Sequence, residues 1–183
     1  ISERSRALAA VSHDLRTPLT RLRLRAELVD DDKLRDQMGT DLDAMATMID
    51  ASLDYLRGLQ DSEPVRRIDI NALLQSLAED ASVLGREVSI DGLARTPYGG
   101  RLSALKRALQ NLIDNAINYG HNARIRVDDE AATLRIAVED DGPGIPQAEL
   151  ARVSEPFYRP DSSRSRTTGG VGLGLSIVKD IAL

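Results

Sequence analysis

The chain has 183 residues, room for one large domain or two small ones, and a formal net charge of −5 at pH 7. That acidic balance argues against nucleic acid as a partner, the absence of cysteine removes disulfide frameworks and thiolate chemistry, and no apolar run approaches the ~20 residues of a membrane span. With 42% hydrophobic but only 3% aromatic residues and no Trp, the expected core is Leu, Ile, Val and Ala, suited to helices packed on helices or on a sheet.

The chain opens inside a helical pattern and stops on an apolar run, so it reads as a piece of something longer. Leu8, Leu15, Leu22 and Val29 are spaced by sevens, and Ser12, Leu19 and Ala26 fall four residues after the first three, a 3-4 seam on one helix. A second seam runs through Met38, Met45, Ser52 and Leu59 with Leu42, Ile49 and Leu56 between them. The acidic stretch from Val29 to Lys33 is the predicted turn, with Asp32 as the N-cap. Two helices of about 27 residues cannot cover two such stripes alone, and a four-helix bundle made by dimerisation is the simplest solution. Pro18 predicts a kink or loosened turn in the first helix.

His13 lies about 120° from the centre of the first stripe, so it is expected on the flank, with Thr17 one turn on along the same face and Asp14 and Arg16 beside them. On spacing alone, a solvated face with a stray histidine accounts for this as well as a nucleophile does. In the nucleophile reading a neutral imidazole attacks phosphorus while Asp14 holds one ring N–H.

Gly58 to Pro64 reads as a linker. Beyond it, Val65 to Ile70 alternates like a strand, Asn71 is the predicted cap of a helix bearing Leu73, Leu74, Leu77 and Leu84, and Glu87 to Gly92 and Leu93 to Tyr98 read as short strands. A long helix is predicted over 101–119, followed by strands over 124–128 and 133–139. This mixture, with strands joined hairpin-fashion, predicts an α+β sandwich.

In the long helix, Leu102, Leu105, Leu109, Leu112, Ile113 and Ala116 form the apolar face. Asn111, Asn115 and Asn118 share another face, and three aligned asparagines carry a cost in helix propensity that packing does not explain. Their carbonyl oxygens suit Mg²⁺, although a polar solvent face is the plain alternative. Asp140-Asp141-Gly142-Pro143-Gly144 follows a strand; its glycines allow close backbone approach to a flat ligand and its carboxylate can accept from an exocyclic amine, but alone it reads better as a simple turn. Gly169 to Gly174 opens a helix, a ready phosphate site without the Lys-Ser/Thr of a P-loop. The polar segment 159–168 reads as a flap, with Phe157 as its anchor or as plain core.

Taken together and in order, these motifs resemble those of the sensor histidine kinases of two-component systems, over nearly the whole chain. Ser12 to Pro18 resembles the phosphoacceptor H-box, Asn111 to Tyr119 the N-box, Asp140 to Gly144 the G1 box, Glu155 to Arg159 the F-box and Gly170 to Gly174 the G2 box. The resemblance implies a dimerisation and histidine phosphotransfer hairpin over 1–60, a linker over 61–64 and a Bergerat-type ATP-binding sandwich over 65–183 that stops short of its closing strands. It implies ATP and Mg²⁺ as cofactors, with His13 taking the γ-phosphoryl group, Asp14 as general base, Arg16 and Thr17 in the same catalytic group, and Thr17 placing a water for dephosphorylation. Asn115 would hold Mg²⁺, supported by Asn111, with Asn118, Tyr119, Phe157 and Arg159 around the nucleotide. Asp140 would read adenine, Gly142 and Gly144 would shape the base pocket, and Gly170, Gly172 and Gly174 would face the phosphates. Asn118 stands where many members carry a basic residue; Arg159 or an arginine of the flap is the candidate replacement. The implied partners are a second copy of the chain and an OmpR-like response regulator, with a membrane reached only through other segments of a parent protein, of which this piece is the cytosolic part. An ATP-gated ATPase of the same fold and a phosphotransfer scaffold without full kinase activity are the alternatives.

Overall fold

The structure is a computed structural model that describes residues 3–58, 63–130, 133–159 and 170–182, with the backbone alone described at 3–10, 12, 13, 54, 57 and 58. It divides into two compact units, Ile1–Asp61 and Ser62–Leu183.

The first unit is a helical hairpin of α1 (Glu3–Ala26) and α2 (Asp32–Gly58). Helix α1 passes through Pro18 without interruption. It ends before Val29, which lies in the turn rather than on the seam. The cap of α2 is Asp31, not Asp32: the Asp31 carboxylate accepts from the Leu34 amide at 3.0 Å, and Asp32 is already helical. Arg16 pairs with Asp50 at 2.6 Å and Arg23 with Asp43 at 2.9 Å. The two pairs are seven residues apart on each helix and run in opposite order, which fixes an antiparallel register. Both are solvent-exposed, so they set alignment more than stability, at about 0–1 kcal/mol each.

Within one hairpin the apolar seams are only partly covered. Ala26, Leu42 and Leu53 are buried, whereas Leu15, Leu22, Met45 and Leu56 are 41–49% exposed. Leu53 lies off the predicted seam, because the face turned to the neighbouring helix is displaced from the stripe left open.

The second unit contains β1 (Arg66–Ile68), α3 (Ile70–Val83), β2 (Val88–Gly92), β3 (Tyr98–Gly100), α4 (Leu102–Gly120), β4 (Ala123–Glu130), β5 (Thr133–Glu139) and α5 (Gly174–Ala182). Strands β1 and β3 form a small antiparallel pair; β2, β4 and β5 form a sheet in which β4 is central, parallel to β2 and antiparallel to β5. Ala123, Ile125 and Val127 of β4 point inward and alternate with exposed Arg124, Arg126 and Asp128, the period-2 pattern of a sheet covered on one face. The covering layer is helical: Leu73, Leu74 and Leu77 of α3 and Leu109, Ile113 and Ala116 of α4 close one core with β4 and with Ile68 and Ile70. Fully burying side chains such as Leu74 and Ile113 contributes about 1.5–3 kcal/mol each, so this core dominates the stability of the unit.

Three local expectations are corrected. Asp69, not Asn71, caps α3, accepting from the Ala72 amide at 3.0 Å. The Asn71 amide group instead makes a reciprocal pair with the Ala94 backbone at 2.8 and 2.9 Å, tying α3 to the loop after β2. Residues 93–97 are not a strand; the strand is Tyr98–Gly100, where pairing with β1 outweighs the poor strand propensity of two glycines. Leu84 ends α3 and Leu102 begins α4, and both are exposed rather than in the core.

Candidate nucleotide and phosphoacceptor sites

Helix α4 carries the asparagines expected to face a nucleotide. Asn111 faces the start of α5: its amide nitrogen donates to the Arg107 carbonyl at 2.9 Å, and its Oδ1 lies 3.3 Å from where a Cβ on Gly174 would be. At the other end of α4, Gly120 lies under Asp140. A Cβ on Gly120 would fall 2.5 Å from Asp140 Cβ, and one on Gly142 would fall 2.6 Å from Asp140 Oδ1 and 2.8 Å from the Tyr119 carbonyl. The chain after β5 therefore sits directly on the end of α4, a fit that only glycine at 120 and 142 permits. The Asp140 Oδ1 accepts from the Gly142 amide at 2.8 Å, which orients an exposed carboxylate. Beside it, Asp141 accepts from Asn122 at 2.6 Å.

Between these contacts α4 rises about 14 Å, at 1.5 Å per residue over 111–120. Asn115 is half-buried on that span and Asn118 exposed, and neither side-chain amide makes a hydrogen bond with another described residue. The floor thus carries a carboxylate and two glycines at one end, a helix N-terminus at the other and unpaired amides between. Such a strip can take an elongated ligand with an aromatic amine at one end and anionic groups at the other.

The third contact joins the F-box to the G2 turn. The Phe157 amide donates to the Gly172 carbonyl at 2.9 Å. Gly172 has φ +79°, and a Cβ there would meet the Tyr158 carbonyl at 2.8 Å. Phe157 is neither core nor a buried anchor: its side chain is 56% exposed and its φ is +64°, a costly conformation for an aromatic residue. The segment is held through its backbone and through Tyr158, whose ring lies 4.3 Å from the Arg152 guanidinium. Gly144, with φ +71°, has open space where a side chain would be. Gly170 is exposed and Arg159, the first residue of the expected flap, half-buried, while the rest of that flap, 160–168, lies outside the described residues. Gly120 escaped sequence reasoning; its only signal is its place at the end of the asparagine helix.

On the hairpin, His13 lies on α1 but its side chain is outside the description, and Asp14, Arg16 and Thr17 are exposed on the same helix. The Arg16 guanidinium is engaged by Asp50, which ties it to hairpin alignment.

Comparison with known proteins places these motifs in a family. The "His Kinase A (phospho-acceptor) domain" model matches residues 3–62, and the "Histidine kinase-, DNA gyrase B-, and HSP90-like ATPase" model matches residues 100–183. The sensor histidine kinase GtrS of Pseudomonas aeruginosa is 42% identical over 182 residues, covering 100% of this chain. The chain belongs to the two-component sensor histidine kinases. Both domain types named by these models, the phospho-acceptor domain and the ATPase domain, are matched in the chain. It is also 33% identical to CpxA of Escherichia coli over 98% of its length. The chain spans only 37% of GtrS and 42% of CpxA. Its fold is similar to that of full-length ShkA, solved in complex with AMPPNP, with a TM-score of 0.69 at 23% identity over 97% of this chain and 40% of ShkA.

Proposed function

We propose that the chain binds ATP along α4, phosphorylates itself on His13 and passes the phosphoryl group to an aspartate of an OmpR-like response regulator. In this reading residues 1–60 are the dimerisation and phosphotransfer domain, 61–64 the linker and 65–183 the ATP-binding domain. The single observation that carries it is the strip on α4, which brings Asn111 against Gly174 and Tyr119-Gly120 against Asp140 and Gly142.

The chemistry follows from these groups. Asp140 has one oxygen committed to the Gly142 amide and the other available to an adenine amine. Gly172 and Gly174 bring backbone and the first turn of α5 to the phosphates, where the N-terminal dipole favours negative charge. Asn115, a hard oxygen donor whose amide has no partner among the described residues, fits a Mg²⁺ ligand, with Asn111 held beside it. When bound, the ion supplies neutralisation of phosphate charge. His13 as neutral imidazole is the nucleophile for in-line transfer, and Asp14 holds the ring N–H so that the other nitrogen presents its lone pair. The solvent-exposed flank around Asp14 and Thr17 is open to a partner protein. We assign the piece to the cytosolic side of a membrane-anchored parent; among the described residues no helix is long and apolar enough to cross a membrane.

The test is autophosphorylation with labelled Mg-ATP in the native chain and in His13→Gln. Acid-labile, alkali-stable label in the native chain alone supports the reading. Free phosphate without labelled protein points to an ATPase, and ATP binding without label to a phosphotransfer scaffold. Thr17 is assigned to water placement in dephosphorylation of the regulator. Thr17→Ala is therefore expected to slow loss of label from the phosphorylated regulator more than it slows autophosphorylation; equal slowing overturns that assignment.

A further inference from the structure

Helix α4 is packed at its C-terminal end against Asp140 through Gly120, and at its middle Asn111 lies near Gly174 with no hydrogen bond between them among the described residues. Its N-terminal end lacks any local provision. The N-cap Arg101 makes no side-chain cap bond and the first turn contains no acidic residue, so orphan amides and the positive end of the helix dipole are left uncompensated locally. The compensation comes from 40 residues earlier: Glu63 Oε2 accepts from the Ser103 amide at 2.9 Å. Strand register explains why. The β1–β3 ladder pairs Arg66 with Gly100, Arg67 with Gly99 and Ile68 with Tyr98, which brings the chain just before β1 alongside the start of α4. Glu63 lies within the expected linker, one residue before Pro64, and is the first residue described after Gly58. The segment that arrives from the helical hairpin is thereby fastened to the helix that bears the asparagines.

We propose that Glu63 is a positioning residue for the nucleotide site: its carboxylate holds the first turn of α4 and, through it, the height of Asn111 and Asn115 at the phosphate end. The proposal rests on the ATP reading above. Its consequence is an asymmetric effect. Loss of the tie disturbs the phosphate end of the strip, whereas the adenine end at Asp140 is fixed independently from β5.

The experiment uses the full chain and displacement of a fluorescent ATP analogue by Mg-ATP and, separately, by adenosine. Asp69→Ala serves as the control, because it removes the corresponding cap of α3 at a distance from the asparagines. Glu63→Ala is expected to weaken Mg-ATP binding about five-fold, the size of a lost cap, with adenosine affinity unchanged. Glu63→Gln, whose amide oxygen still accepts from Ser103, is expected to recover most of that loss. Asp69→Ala is expected to lower the melting temperature while leaving both affinities as in the native chain. If Glu63→Ala melts below the assay temperature, Glu63→Asp takes its place, being one methylene short of the 2.9 Å bond. Native Mg-ATP affinity in Glu63→Ala, an equal loss for Mg-ATP and adenosine, or the same loss in Asp69→Ala overturns the positioning role. If the native chain itself binds no Mg-ATP, the functional reading fails and the positioning role falls with it, an outcome visible before any variant is compared.

Discussion

At Asp140 the constraint lies in neighbours that have no side chain. Gly120 and Gly142 leave room for its carboxyl group against the end of α4, and the Gly142 amide orients one of its oxygens. An added methyl at 142 would sit 2.6 Å from that oxygen and 2.8 Å from a backbone carbonyl that cannot swing aside. Gly142→Ala is therefore expected to displace Asp140, destabilise the second unit by about 1–3 kcal/mol and sharply weaken ATP binding. Thermal unfolding and calorimetric titration check both; native behaviour in both would mean that the loop relaxes without cost. His121, with φ +65°, ends α4 in the left-handed region immediately before this junction, so the turn that delivers β4 is itself constrained.

At the scale of elements, strong periodicity was enough to read much of the fold. Helix α4 was expected over 101–119 and is Leu102–Gly120; β5 was expected over 133–139 and is Thr133–Glu139. What escaped was selection among equivalent neighbours. Val-Asp-Asp-Asp-Lys offers three capping residues in a row, and the structure uses Asp31. Asp69 and Asn71 both suit a cap, and Asn71 is claimed instead by Ala94. The β1–β3 pair has no local signature because its glycines disfavour strands, and with that pair unknown the Glu63–Ser103 contact could not be foreseen. The site motifs were legible in residue type and spacing; that α4 joins them, and that Phe157 points outward, depends on tertiary contacts. The cap assignment makes a direct prediction. Asp31→Ala is expected to cost about 1 kcal/mol, as loss of an N-cap does, and Asp32→Ala distinctly less. Urea unfolding of the hairpin unit checks the difference, and equal losses would return the cap to Asp32.

For the whole molecule, the open stripe on the hairpin is the main unfinished surface. Leu15, Leu22, Met45 and Leu56 are half-exposed on helices whose other face is already packed, and a second copy of the hairpin would bury them in a four-helix bundle. A charge in the stripe would then be buried without a partner. Leu22→Glu is expected to convert a dimer to a monomer in sedimentation at micromolar concentration while leaving the second unit's nucleotide affinity intact. A dimer that survives this change would place the interface elsewhere.

The parallel pairing of β2 with β4 has a consequence during synthesis. Val88 finds its partner only at Ala123, 35 residues later, with α4 in between. At about 5–20 residues per second, a ribosome takes several seconds to deliver that partner. For that interval β2 has left the exit tunnel with an unpaired edge and with Val88 and Ile90 uncovered by β4. Asp91, the fourth of the five paired residues, places a charge on that edge that discourages a neighbouring nascent chain from supplying the missing strand.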